Sequence, residues 1–227
     1  MNLLYKHIYH FANFKEGYHI LKTYREYKLD LPVTVVISTY NQRQKSKYHL
    51  KNIITIWSKI RFKKKFNALK SIDKLRIEFV DDVNSKEFIA SINTNSLAIC
   101  TGFTQIFSKN LINSFNNAYN FHQSLLPYYK GPVPTFWQIK NEEEWSGFSI
   151  HELSSTIDAG PIVHQQEIKI NTSSPSELQT IISKHIAGSF QNILSYIVTG
   201  DNSWKLDIDA KKYYKQLPDY LGFPNND

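Results

Sequence analysis

Apolar and polar positions alternate in two periods along this chain. Residues 3–10 and Val33–Ser38 are short runs rich in apolar and β-branched side chains, and both read as strands. Between them Phe14, Tyr18, Leu21, Tyr24 and Tyr27 recur at helical spacing, which predicts a helix over 14–28. Ile53, Ile54, Ile56, Trp57, Ile60 and Phe66 are interleaved with lysines and predict one or two helices with a wet face over 43–72. Arg76–Val80 is a further strand. Residues 85–92 form a short helix capped by Asn84 or Ser85, residues 96–103 an apolar strand, and residues 110–115 a helical turn. Asn120 and His122 close another apolar run, and Gly147–Leu153 is strand-like. Ser174-Pro175-Ser176-Glu177 is a capping box with proline at the first helical position. It opens a helix whose apolar face runs from Leu178 through Ile182, Ile186, Phe190 and Leu194 to Ile197, and Gly200 ends it. His185 lies beside that stripe and reads as structural.

Strand and helix alternate, so the expected fold is α/β with a mostly parallel sheet. At 227 residues the chain divides into a domain over 1–200 and a short C-terminal tail or hairpin over 201–227. The N-terminus lacks a signal-peptide pattern, and no apolar run reaches the ~18 residues a membrane span needs. These features, with a single cysteine, lead to the expectation of a soluble cytoplasmic protein. Cys100 reads as a small buried hydrophobe.

The net charge is +7, and it is unevenly placed. Residues 43–76 carry Lys and Arg at 12 positions against a single Asp73, leaving the remainder slightly acidic. That segment suits a solvated helix surface, a site for an anion such as a nucleotide diphosphate, or a nucleic-acid or membrane patch.

The chemistry concentrates in residues 120–162. Asn120 and His122 are two apart, so on a strand both leave the same face. Asp158 sits in the loop signature I-D-A-G-P. In parallel sheets ligands bind beyond the carboxyl ends of the strands, where these groups and the loop 101–107 would lie. An amide, an imidazole and a carboxylate suit acyl transfer to an amine: Asn120 as oxyanion donor, His122 as base, Asp158 as its orienting partner. Turn-forming, surface and capping roles for the same three residues remain open on composition alone. The dinucleotide, P-loop and nucleophile-elbow glycine patterns are absent. A metal site from His122, His151, Asp158 and His164 matches no compact ligand spacing.

The string from Asn120 to Pro127, then Lys130-Gly131-Pro132, then Asp158-Ala159-Gly160-Pro161-Ile162 resembles the formyltransferase family that uses 10-formyltetrahydrofolate. The family pattern is Asn-x-His, S-L-L-P and an Asp about 36 residues on; His122 and Asp158 are 36 apart. The resemblance implies a Rossmann-like fold, N10-formyltetrahydrofolate as co-substrate, no metal, and Asn120, His122 and Asp158 as the catalytic set. It places the folate against Gly102, Phe103, Thr104, Gln105 and Ile106, with Ile157 opposite.

For the acceptor, residues 8–13 hold no glycine where the glycinamide ribonucleotide enzymes carry a phosphate turn, and residues 201–227 are too few for the second domain of the tRNA enzymes. G-P-V-P-T-F-W and the tail K-K-Y-Y-K-Q-L-P resemble the nucleotide-sugar N-formyltransferases. The expected partner is therefore a dTDP-linked amino-dideoxy sugar (a 4-amino-4,6-dideoxyhexose first, with UDP the other nucleotide) on the way to surface polysaccharide such as lipopolysaccharide O-antigen. Tyr129, Lys130, Trp137, Tyr213 and Tyr214 are the candidate substrate contacts, with core packing the alternative for Trp137 and a surface cation for Lys130. A homodimer is what the sugar-modifying relatives suggest. The rival functions are glycinamide ribonucleotide formylation and, from another class, a silent relative that binds nucleic acid through the basic segment.

Overall fold

The computed structural model describes residues 3–13, 23–24, 30–38, 60 and 74–205. Seven strands form one sheet: β1 (His7–Ala12), β2 (Val33–Ser38), β3 (Leu75–Val80), β4 (Ser96–Thr101), β5 (Asn117–His122), β6 (Trp145–Glu152) and β7 (Ile162–Lys169). Their spatial order is β3-β2-β1-β4-β5-β6-β7. The first five pair in parallel, while β5–β6 and β6–β7 are antiparallel. The sheet is thus a mostly parallel α/β sheet with an antiparallel margin.

Four helices are described: α1 (Lys86–Ser91), α2 (Lys109–Asn113), α3 (Pro134–Lys140) and α4 (Pro175–Thr199). Ser85 caps α1 and Ser108 caps α2, each through its hydroxyl to a backbone N–H of the first turn. Ser174 caps α4 in the same way, and Gly200, at φ 75°, ends it in the left-handed conformation.

The central strands are apolar on both sides because both faces of the sheet are covered. On one face, Ile8, Val35, Ile37, Ile99, Phe121 and Ile150 pack under the α4 stripe from Leu178 to Val198. On the other, Tyr9, Phe11, Val36, Ala98 and Cys100 meet Phe88 of α1 and Leu111 of α2. Cys100 is buried, and burial holds its thiol well above its ordinary pKa. Phe190, near the middle of α4, stands 5.5 Å from both the His10 and Tyr24 rings and 5.8 Å from Phe121.

Two elements were not legible in the pattern. Strand β7 is largely polar because it is an edge strand, and α3 is short and opens on Pro134 without a side-chain cap. The helix expected over 14–28 is represented by residues 23–24, which are helical. The helices expected over 43–72 lie outside the described residues, apart from the helical Ile60. The tail opens with a 3₁₀ turn, Asn202–Trp204, and its remainder lies outside the described residues. No described helix is long and apolar enough to cross a membrane.

The antiparallel margin depends on a close approach at Gly147. A Cβ there would stand 2.0 Å from the Gln166 carbonyl oxygen and 2.8 Å from Leu125 Cδ2. Gly147→Ala is expected to force β6 and β7 apart and cost about 3 kcal/mol, read from the urea midpoint.

Candidate active site

Strand β5 is shared by the parallel and antiparallel halves of the sheet, and it carries the first two candidate groups. Asn120 lies between Cys100 of β4 and His151 of β6; His122 pairs with Ser149. Asp158 comes from the β6–β7 loop, whose backbone is drawn back over the strand ends by Glu152 N–H to Pro161 O at 2.9 Å and Leu153 N–H to Ala118 O at 2.8 Å.

These groups converge. Asn120 Nδ2 is 3.1 Å from His151 Nε2 and 3.4 Å from Asp158 Oδ1, and His151 Nε2 is 3.3 Å from the same carboxylate oxygen. His122 Nδ1 faces Asp158 Oδ2 at 3.5 Å. Gly131 donates its backbone N–H to Asp158 Oδ2 at 2.8 Å. The His122 Nε2–H donates to the Tyr129 carbonyl at 2.8 Å, which leaves Nδ1 as the imidazole nitrogen for proton transfer.

The electrostatics follow from burial and neighbours. Burial raises the Asp158 pKa, but the contact with His151, the facing His122 and the Gly131 N–H outweigh it and hold the carboxyl at about 2. Burial lowers the His122 pKa, opposed incompletely by Asp158 and the Tyr129 carbonyl and reinforced by His151. The site at neutral pH therefore pairs a neutral imidazole with a carboxylate.

A cavity of about 690 Å³ opens over this cluster. Gly102, Phe103, Thr104, Gln105, Ile106 and Ile157 all line it, beside Asn120, His122 and Asp158. Its lining includes apolar side chains (Phe103, Ile106, Phe107, Leu153, Ile157) and polar ones (Asn13, Gln123, Gln179). Gln105 does more than line it: its amide donates to Ser38 Oγ at 2.6 Å and Asp81 O at 3.1 Å and accepts from Val83 N–H at 3.1 Å, tying the ends of β2, β3 and β4 together.

Lys130, Tyr129 and Trp137 do not line the cavity. Trp137 packs edge-on against Phe136 with Lys140 Nζ 4.9 Å above its ring. Tyr129 is turned away, its hydroxyl on Glu143 and Asn141. Tyr213 and Tyr214 lie outside the described residues. Among the described residues no group of three or more His, Cys, Asp or Glu side chains could hold a metal ion. Where the sequence comparison expected a phosphate turn in other enzymes, β1 instead carries His10, buried between Tyr24 OH at 3.0 Å and Thr101 Oγ1 at 2.9 Å, its pKa pushed down to about 3 by burial.

The sequence reading missed His151 as a partner of Asn120, the Gly131 N–H, and Asn13 and Gln179 as lining residues. His151 carried a faint signal: it alternates with Phe148 and Ile150, on the same side of the strand as Gly147 and Ser149.

A family model described as formyl transferase matches residues 11–185. The chain belongs to the formyl transferase family. Its sequence relatives include the methionyl-tRNA formyltransferase of Mycoplasma pneumoniae, 32% identical over 119 residues, or 52% of this chain and 38% of the relative. A methionyl-tRNA formyltransferase of Thermotoga sp. (strain RQ2) is 33% identical over 104 residues, 44% of this chain and 33% of the relative. The matched stretch thus spans little more than a third of these relatives. Among solved structures, a sugar N-formyltransferase from Shewanella sp. FDAARGOS_354 superposes with a TM-score of 0.58 at 18% identity, covering 95% of this chain and 82% of that one. Glycinamide ribonucleotide transformylase 1 from Symbiobacterium toebii gives 0.60 at 15% identity, covering 86% and 89%. WlaRD, a sugar 3N-formyl transferase solved with dTDP and 5-N-formyl-THF, gives 0.57 at 20% identity, covering 90% and 68%. These likenesses establish the formyl transferase fold, and the geometry of this family member's site stands on its own residues.

Two outcomes test that geometry. Val133, at the cavity wall, precedes α3 at φ 54° and ψ 47°, a left-handed conformation that a β-branched residue adopts at a cost. Val133→Asn is expected to stabilise the fold by about 1 kcal/mol in thermal or urea unfolding. Asp158 has a lower pKa folded than unfolded, so its contribution is fully present above about pH 4 and is lost as the pH falls through about 2. Asp158→Asn should flatten the urea-midpoint curve across that window by about 2 kcal/mol.

Proposed function

We propose that this chain transfers a formyl group from N10-formyltetrahydrofolate to a primary amine, with Asn120, His122 and Asp158 as the catalytic set. The observation that carries the reading is their convergence on one cavity lined by both apolar and polar side chains. In this reading the apolar lining of Phe103, Ile106, Leu153 and Ile157 takes the folate ring system, held by backbone groups of 102–106. Asn13 and Gln179 face the acceptor. Residues 1–200 form the catalytic unit and 201–227 an appended tail.

The amine nitrogen attacks the formyl carbon, and a C–N bond forms as the carbonyl electrons move onto oxygen. The Asn120 amide donates to that oxygen, where preorganised donors are worth ~3–4 kcal/mol. His122 Nδ1 accepts the amine proton, and Asp158 stabilises the imidazolium that results. Collapse breaks the bond to folate N10, which leaves with a proton supplied from the same imidazole. A formamide and tetrahydrofolate are released.

The acceptor we propose is a dTDP-linked amino-dideoxy sugar, with UDP the other nucleotide and a cytoplasmic homodimer the working form. The support is the G-P-V-P-T-F-W segment after the S-L-L-P loop and the absence of glycine across residues 8–13. A methionyl-tRNA acceptor is the second reading, favoured by the similarity to the methionyl-tRNA formyltransferases.

Purified protein with 10-formyltetrahydrofolate and, separately, dTDP-amino sugars, UDP-amino sugars, glycinamide ribonucleotide or methionyl-tRNA is expected to release tetrahydrofolate with a sugar pool. Turnover with another pool alone replaces the acceptor, and turnover with none from folded protein removes the reading. Asn120→Ala and His122→Ala should each lower kcat by ~10²–10⁴ with the fold intact. Because the neutral imidazole is the active form and its pKa is lowered, the acidic limb of kcat/KM should fall below pH 6.5.

A further inference from the structure

Tyr129 links the C-terminal turn of α3 to His122. Its backbone is left-handed, at φ 55°, and this turns its carbonyl onto His122 Nε2 at 2.8 Å. Its ring reaches the other way. The hydroxyl donates to Glu143 Oε1 at 2.5 Å and accepts from Asn141 Nδ2 at 3.1 Å, so both of its hydrogen-bonding capacities are used. The turn carrying these partners is itself held by α3, through Asn141 N–H to Trp137 O at 2.9 Å and Glu143 N–H to Gln138 O at 3.1 Å. Ser124 Oγ donates to the neighbouring Tyr128 carbonyl at 2.7 Å and lies at a longer 3.5 Å from the Tyr129 carbonyl itself.

The His122 ring has two competing claims on its single proton. The Tyr129 carbonyl draws it to Nε2; the Asp158 carboxylate, 3.5 Å from Nδ1, draws it to Nδ1. A neutral His122 can accept an amine proton at Nδ1 only in the first tautomer. Tyrosine enters the left-handed region only under constraint, and the hydroxyl clamp holds the end of its ring. Release of that clamp lets the backbone relax and the carbonyl swing off Nε2. The proton then has a single acceptor, Asp158.

We propose that Tyr129, clamped by Glu143 and Asn141, is a positioning residue that selects the Nε2-protonated tautomer of His122. The tautomer is a property of the chain alone, whereas the kinetic consequence rests on the formyl-transfer reading. Nothing in this role requires Tyr129 to touch a substrate, in keeping with its place outside the cavity lining.

Long-range proton–nitrogen NMR of the imidazole rings tests it without substrate, with His122→Gln used to assign the His122 signals. At slightly alkaline pH the unsubstituted protein should show the Nε2-protonated pattern for His122. Tyr129→Phe should move it toward the Nδ1-protonated pattern, and Glu143→Gln, whose amide oxygen still accepts from the hydroxyl, should leave it in place. Where turnover is measurable, Tyr129→Phe should lower kcat roughly tenfold or more with KM values held, and Glu143→Gln should not. A tautomer shift with no turnover would support the clamp and count against the formyl-transfer reading. An unchanged His122 pattern in folded Tyr129→Phe, even with lowered stability, would overturn the proposal and leave Tyr129 a loop anchor. Should Tyr129→Phe fail to fold, the Asn141→Ala/Glu143→Ala double variant keeps the ring, removes the clamp and is read by the same criterion.

Discussion

A carboxylate taken out of water must be surrounded by donors, and the site is built around meeting that demand at Asp158. Its two oxygens are approached by a backbone N–H from the 130–133 loop, by the Asn120 amide of β5 and by His151 of β6, and the His122 imidazole, protonated on its far nitrogen, faces it from β5. These groups come from β5, β6 and the loop before α3, and Asp158 itself from the β6–β7 loop. The carboxylate therefore sets the separation of β5, β6, the loop before α3 and the β6–β7 loop at one point. The left-handed backbone of Asp158 itself, at φ 48°, is held there by the same contacts. Gly160 allows the loop to close, since a Cβ on it would stand 1.8 Å from the Glu152 carbonyl oxygen.

The switch from parallel to antiparallel pairing at β5 is what brings these segments together. Parallel neighbours β4 and β5 bring the loop 102–107 and the Asn120–His122 pair to the same edge of the sheet. The reversed strand β6 then lays His151 directly opposite Asn120. Behind the loop after His122, Ser149 and Gln165 satisfy the backbone of Ser124 and Leu126 at 2.7 to 2.8 Å. The edge that carries the candidate site is thus supported from below by buried polar contacts as well as by apolar packing.

The strands of the parallel half and the long helix α4 were legible because their patterns are strong: β-branched runs bounded by turn residues, and a capping box leading into an apolar stripe. Asn120, His122 and Asp158 were legible through spacing within one motif. His151 was not, because a single histidine in an apolar strand looks the same whether it is satisfied by its neighbours or used; only the antiparallel register distinguishes the two. Tyr129 was read as an aromatic that binds, and the structure gives its part to a backbone carbonyl, which no side-chain identity encodes. Lys140, three residues past Trp137 on α3, covers an indole for which the sequence favoured core packing over a ligand.

The two halves of the sheet differ in how far the chain must travel to form them. Strands β6 and β7 are joined by a short loop, and their partners lie close in sequence, as in Gly147 with Glu167. The parallel half includes, at β1–β4, a pairing of residues far apart in sequence, such as Ile8 with Leu97. Local pairings close at a smaller entropic cost than distant ones. Asn120 stands on β5 and Asp158 in the loop of the β6–β7 hairpin. The site thus exists only once the hairpin has docked on β5, so its assembly coincides with completion of the sheet, and a chain stalled before that step exposes β5 as an unpaired edge open to other chains.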